Sequence, residues 1–120
     1  MTLVDTSVWV DHLRYGNPAL RELLEAGRVF LHPFVVGELA LGHLRQRRQV
    51  LGLLRRLPAA PPADHQEVMT LVERQGLAGS GIGWVDAHLL ASARLARVSL
   101  WTLDRRLDTA ASAMGLAWRS

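Results

Sequence analysis

The chain has 120 residues, 49% of them hydrophobic and 21% charged, a composition expected to fill one globular core and form a single domain over residues 1–120. All 14 basic residues are arginine and cysteine is absent, which excludes a Walker A or Schiff-base lysine, disulfides, thiolate metal sites and cysteine nucleophiles. The formal charge of +3 is a small excess of base until particular acids are assigned to a site.

Thr2-Leu3-Val4 reads as a short strand ending at Asp5, and Thr6-Ser7 offer capping hydroxyls for a helix carrying Val8, Trp9, Val10 and Leu13. Asn17-Pro18 starts a second helix that Gly27 ends, and Val29 to His32 is a second strand of buried type. Residues 33–57 open on Pro33 and predict a helical hairpin or bent helix stopping at Pro58. The proline cluster Pro58-Ala59-Ala60-Pro61-Pro62 is a connection with room for a short strand. Asp64 caps a predicted helix over 66–77, and Gly79-Ser80-Gly81-Ile82-Gly83 is a flexible loop. A helix over 84–97, a strand over 98–103, a helix over 105–114 and a last strand at Leu116-Ala117-Trp118 complete the chain. Strands separated by helices imply an α/β fold with a mostly parallel sheet covered on both faces, and ligands then bind beyond the carboxyl ends of the strands. The apolar stretches are too short and too interrupted for a bilayer, and the first residues lack a secretory pattern; the expectation is a cytoplasmic protein with no membrane role.

Two predicted strands end in aspartate, at Asp5 and Asp104. Either one alone reads more simply as a helix cap, and the pair together weakens that reading. Glu38 falls in a run of apolar residues from Phe34 to Leu41, so its flanks are expected to be buried and its charge to need a cation, an arginine or a shift toward the neutral form. Asp86 stands in the first turn of its helix, on the side of Leu89, Leu90 and Ala93, where interaction with the helix dipole is the simpler role. Taken together, Asp5, Glu38, Asp86 and Asp104 are four acids from four elements. A cluster of like charges needs a cation, and oxygen-only ligation favours Mg²⁺ or Mn²⁺ over zinc. The inferred chemistry is hydrolysis of a phosphodiester by a metal-activated water. Thr6, Ser7 and Thr102 are placed to hydrogen-bond these carboxylates, and Asp108, four residues past Asp104, either assists or simply favours a helix N-terminus.

The blocks Val4-Asp5-Thr6-Ser7-Val8-Trp9, Pro33-Phe34-Val35-Val36-Gly37-Glu38-Leu39, Trp84-Val85-Asp86-Ala87-His88-Leu89-Leu90-Ala91 and Thr102-Leu103-Asp104 resemble those of PIN-domain ribonucleases. Their order, spacing and total length most resemble the VapC toxins of bacterial toxin–antitoxin pairs. The resemblance spans essentially the whole chain. It implies a three-layer α/β/α sandwich and a Mg²⁺- or Mn²⁺-dependent endoribonuclease that cleaves RNA and so inhibits translation. By position, Asp5, Glu38, Asp86 and Asp104 match the family's acidic quartet, the residues that bind metal and carry catalysis. It also implies a homodimer and a VapB-like antitoxin.

Setting those four acids aside leaves twice as many basic as acidic side chains. Arg45, Arg47, Arg48, Arg105 and Arg106 are the candidate RNA contacts, the last two because they follow Asp104. Trp9, Trp84, Trp101 and Trp118 sit among aliphatic residues and are expected to pack in a core or interface rather than stack on bases. The five histidines show no i, i+3 or i, i+4 pairing, which argues against a zinc site. The competing reading is a catalytically silent domain that binds RNA or a protein; a phosphorylated switch would need a pocket lysine that this chain lacks.

Overall fold

The computed structural model describes residues 1–120. Strand β1 (Thr2–Val4) is central and pairs in parallel with β2 (Val29–Phe30) on one side and β3 (Ser99–Trp101) on the other. Thr2, Leu3 and Val4 face Ser99, Leu100 and Trp101 in register. Parallel bridges extend each edge, Leu31 to Ala59 and Leu100 to Ala117, so the proline connection and the last predicted strand each contribute a single rung. Leu3 and Val4 have no exposed surface, as a strand covered on both faces requires.

Seven helices flank this sheet in a three-layer α/β/α arrangement. They are α1 (Thr6–Tyr15), α2 (Pro18–Glu25), α3 (Pro33–Leu41), α4 (Arg47–Leu54), α5 (His65–Arg74), α6 (Trp84–Ala96) and α7 (Arg105–Ala113). Local chemistry sets their starts. Asn17 accepts from the Leu20 amide at 3.0 Å, with Pro18 in the first turn, and Asp64 and Glu67 form a reciprocal capping box. The predicted hairpin over 33–57 is two helices: Gly42 is extended and Gln46 takes a left-handed φ of 53°. The strand predicted to reach residue 103 stops at Trp101, whose register with Val4 is the last in the ladder and whose carbonyl accepts from the Asp5 amide.

The core is one cluster of 23 buried hydrophobic residues. Helix α6 is buried over the whole run Ala87–Ala93, so its middle two turns are enclosed on every side. No helix is long and apolar enough to cross a membrane.

Candidate active site

The strand order reverses at β1, between β2 and β3, and a ligand site is expected beyond the carboxyl ends of the strands at such a point. Asp5 follows β1 there. It occupies the cap position of α1 yet makes no capping hydrogen bond with its side chain. Instead the buried carboxylate accepts, on Oδ2, the hydroxyls of Ser7 and Thr102, both at 2.7 Å. Those hydroxyls in turn accept from the backbone amides of Leu103 and Asp104, each at 3.0 Å. The network ties the β3–α7 connection to the start of α1. Asp104 does cap its helix: Oδ1 accepts from the amides of Arg106 at 2.9 Å and Leu107 at 3.1 Å.

Asp86, in the first turn of α6, has its carboxyl pushed up to about 6, first by burial and then by the negative charges of Asp5 and Asp104, with Glu38 adding less and the Gly83 backbone amide opposing. The charges of three acids on other elements therefore bear on Asp86. Glu38 departs from expectation: it is exposed, and its Oε1 accepts the Thr6 hydroxyl at 2.7 Å. Its charge is solvated rather than enclosed, because the apolar burial on α3 falls on Val35 and Leu39. No three acids or histidines converge on one point, so this is an open cluster and not a closed cage. Asp5 Oδ1, Glu38 Oε2 and Asp104 Oδ2 accept no protein hydrogen bond, since the other oxygen of each takes them all. Free carboxylate oxygens beside a carboxyl strained toward protonation suit a hard divalent cation.

Of the hydroxyls expected to serve the carboxylates, Thr6, Ser7 and Thr102 all do so. Asp108 does not: Arg119 holds both its oxygens, at 3.0 and 3.1 Å. This is the sole ion pair in the molecule, and it takes Asp108 out of the cluster. Arg105 and Arg106 are exposed in the first turn of α7, beside Asp104. Arg45, Arg47 and Arg48 are exposed elsewhere. Arg45 shares a groove with Leu13, Arg14 and Tyr15 at the far end of α1, about 12 Å along that helix from Asp5.

Trp9 and Trp101 are buried, and Trp118 stacks on Trp101 with ring centroids 4.0 Å apart. Trp84 is 43% exposed, contrary to the packing expected of it, and meets His65 and His88 with ring centroids at 5.3 and 4.9 Å. The sequence reading missed His32. Its Nδ1 accepts from the Phe34 amide at 3.0 Å and so caps α3, while its ring packs against Phe34 and His88. Burial and the nearby His88 lower its pKa to about 4. The only sequence cue was a polar residue directly before a proline that opens a helix.

The PIN domain family model matches residues 2–113. Ribonuclease VapC32 of Mycobacterium tuberculosis, in two strains, is 48% identical over 118 residues, covering 98% of this chain and 95% of that protein. The crystal structure of FitAcB from Neisseria gonorrhoeae shares the fold, with a TM-score of 0.65 and 22% identity over 93% of this chain and 94% of its own. With a match that takes in all four acid-bearing elements, the chain belongs to the PIN-domain family, as a VapC-type member.

Proposed function

We propose that this protein is a divalent-metal-dependent endoribonuclease, the toxin of a toxin–antitoxin pair, whose cleavage of RNA inhibits translation in the cytoplasm. The observation that carries the reading is geometric: at the point where the strand order reverses, Asp5, Glu38 and Asp104 each leave one carboxylate oxygen without a protein donor, and their charges bear on Asp86. Four elements would not place like charges together for stability alone. The similarity to a protein named Ribonuclease VapC32 supports RNA as the substrate.

Asp5, Glu38, Asp86 and Asp104 are the residues that would hold Mg²⁺ or Mn²⁺. The chemistry such an ion supplies is Lewis acidity, which offsets charge at the phosphoryl group and makes water a competent nucleophile at neutral pH. Ser7 and Thr102 orient Asp5, because each hydroxyl donates to it while accepting a backbone amide. The Thr6 hydroxyl donates to Glu38 and so orients it. The free arginines give the rim a positive field that draws in a polyanion. For partners, the reading includes a VapB-like antitoxin and a second copy of the chain. Exposed apolar side chains on α3 and α4, Leu41 at 91% and Leu53 at 61%, offer contact area for them.

The test is cleavage of a mixed tRNA and messenger RNA pool by purified protein with Mg²⁺, Mn²⁺ or EDTA, beside Asp5→Asn and Asp86→Asn. Cleavage should require metal and fall at least a hundredfold in both variants. Well-folded protein that cuts nothing under either metal would turn the assignment toward a silent binding module.

A further inference from the structure

Outside the carboxylate cluster, a crevice of about 340 Å³ separates α7 from the glycine loop at residues 79–83. Arg105 and Arg106 line one wall, Ser80 and Ile82 the other. Both walls lead to acids of the cluster. Arg106 lies two residues past Asp104, which accepts its backbone amide, and the loop ends at Gly83, the cap of the helix that carries Asp86.

Gly81 has a φ of +85°, and a Cβ built on it would stand 2.7 Å from Nη1 and 3.0 Å from Cδ of Arg106. The arginine therefore lies flat against the loop backbone, an approach open only to a residue without a side chain. A guanidinium already laid on a surface loses less freedom on binding than one extended into water. Neither Arg105 nor Arg106 is paired with a carboxylate, since the ion pair of Arg119 with Asp108 is the only one. Ser80 Oγ accepts from the Ile82 amide at 3.2 Å, which leaves its hydroxyl hydrogen free to donate. The Thr109 hydroxyl, by contrast, is committed to the Arg105 carbonyl at 2.9 Å. A planar cationic fork beside a free hydroxyl, next to the acids but unpaired with them, recognises a phosphate.

We propose that this crevice binds a non-scissile phosphate of the RNA, with Arg106 as its principal cation and Ser80 as a second donor. The proposal rests on the RNA reading above and adds the path by which the strand leaves the carboxylates: between α7 and the glycine loop. Arg106 binds and positions the substrate here; it takes no part in bond breaking.

The test measures binding of a labelled single-stranded RNA by fluorescence anisotropy in EDTA, where metal-dependent cleavage is stopped, across a series of salt concentrations. Arg106→Ala should weaken binding about tenfold and flatten the slope of log affinity against log salt by about 0.7, the loss of one phosphate contact on a single strand. Arg106→Lys should keep the slope while losing part of the affinity, because it retains charge without the fork. Gly81→Ala should weaken binding by displacing the arginine. Arg28→Ala, at the amino end of β2 where its carbonyl accepts from Thr2, should match wild type. In the presence of Mg²⁺, Arg106→Ala should raise KM and leave kcat within about twofold, as loss of uniform binding does. Wild-type affinity and slope in Arg106→Ala would overturn the subsite, as would an equal loss in Arg28→Ala. A wild-type protein that binds no RNA would overturn the RNA reading itself, and the subsite with it.

Discussion

Asp5 and Asp104 close adjacent strands but are spent differently: one accepts two hydroxyls and caps nothing, the other caps α7 with a single oxygen. Asp86 bears the cost of its burial and of their company, with its carboxyl raised to about 6. A raised acid pKa means that the folded state holds the proton more tightly than the unfolded chain, so metal-free stability falls as pH rises from about 4 through about 6. Asp86→Asn should therefore raise the melting temperature of the metal-free protein at pH 7, and the gain should vanish below about pH 4; a scanning calorimetry series over pH reads both. Protons compete with metal at the same group, so Mg²⁺ affinity should drop below about pH 6 and lose that step in the variant. At this scale the sequence was legible where an acid ended a strand or opened a helix. It misled at Glu38, since an apolar run on α3 says nothing about which side of the helix faces water, and here the exposed residues include Phe34 and Leu41 as well as Glu38.

Helix starts were readable wherever the capping chemistry lies within a few residues, as in Asp64 with Glu67 or Asn17 with Pro18. They were ambiguous where a tertiary partner competes for a side chain: Thr6 and Ser7 read both as caps of α1 and as partners of carboxylates, and it is the second role they take, on Glu38 and Asp5. The single-rung edges at Ala59 and Ala117 have too little sequence to carry a strand signal. For α3 the cap is His32, almost fully buried and held neutral at pH 7 by a pKa near 4. A lowered histidine pKa gives stability that is complete above about 6.5 and lost as pH falls toward 4, because the unfolded chain then takes up the proton first. His32→Ala should cost about 1–2 kcal/mol at pH 7 from the cap alone, whereas His32→Asn should keep a cap and abolish the acid-induced loss. Urea titrations at pH 7 and pH 5 check both. They should be run in the Asp86→Asn background, since Asp86 shifts stability in the opposite direction over nearly the same range.

Across the whole molecule, charge is segregated rather than paired. One ion pair joins Arg119 to Asp108, every other arginine lacks a carboxylate partner, and four acids share the carboxyl edge of a parallel sheet. That separation was visible in the sequence only as counts, because a formal charge of +3 does not reveal where the acids gather. Asp86 is held among these charges at a cost to the fold, and an ion that binds the folded state alone stabilises it by mass action. At a concentration about one hundred times its Kd, Mg²⁺ or Mn²⁺ should add roughly 2.7 kcal/mol, a rise of about 10 °C in Tm for a chain of this length. EDTA should reverse the rise, and Asp5→Asn should lose most of it because one ligand is gone. Sodium chloride at matched ionic strength separates binding from screening: general screening acts through a Debye length and gives a shallow, saturating change in both proteins. An equal Tm with and without divalent ion, in protein that still melts cooperatively, would leave the acids as an uncompensated cluster and remove the metal from the account.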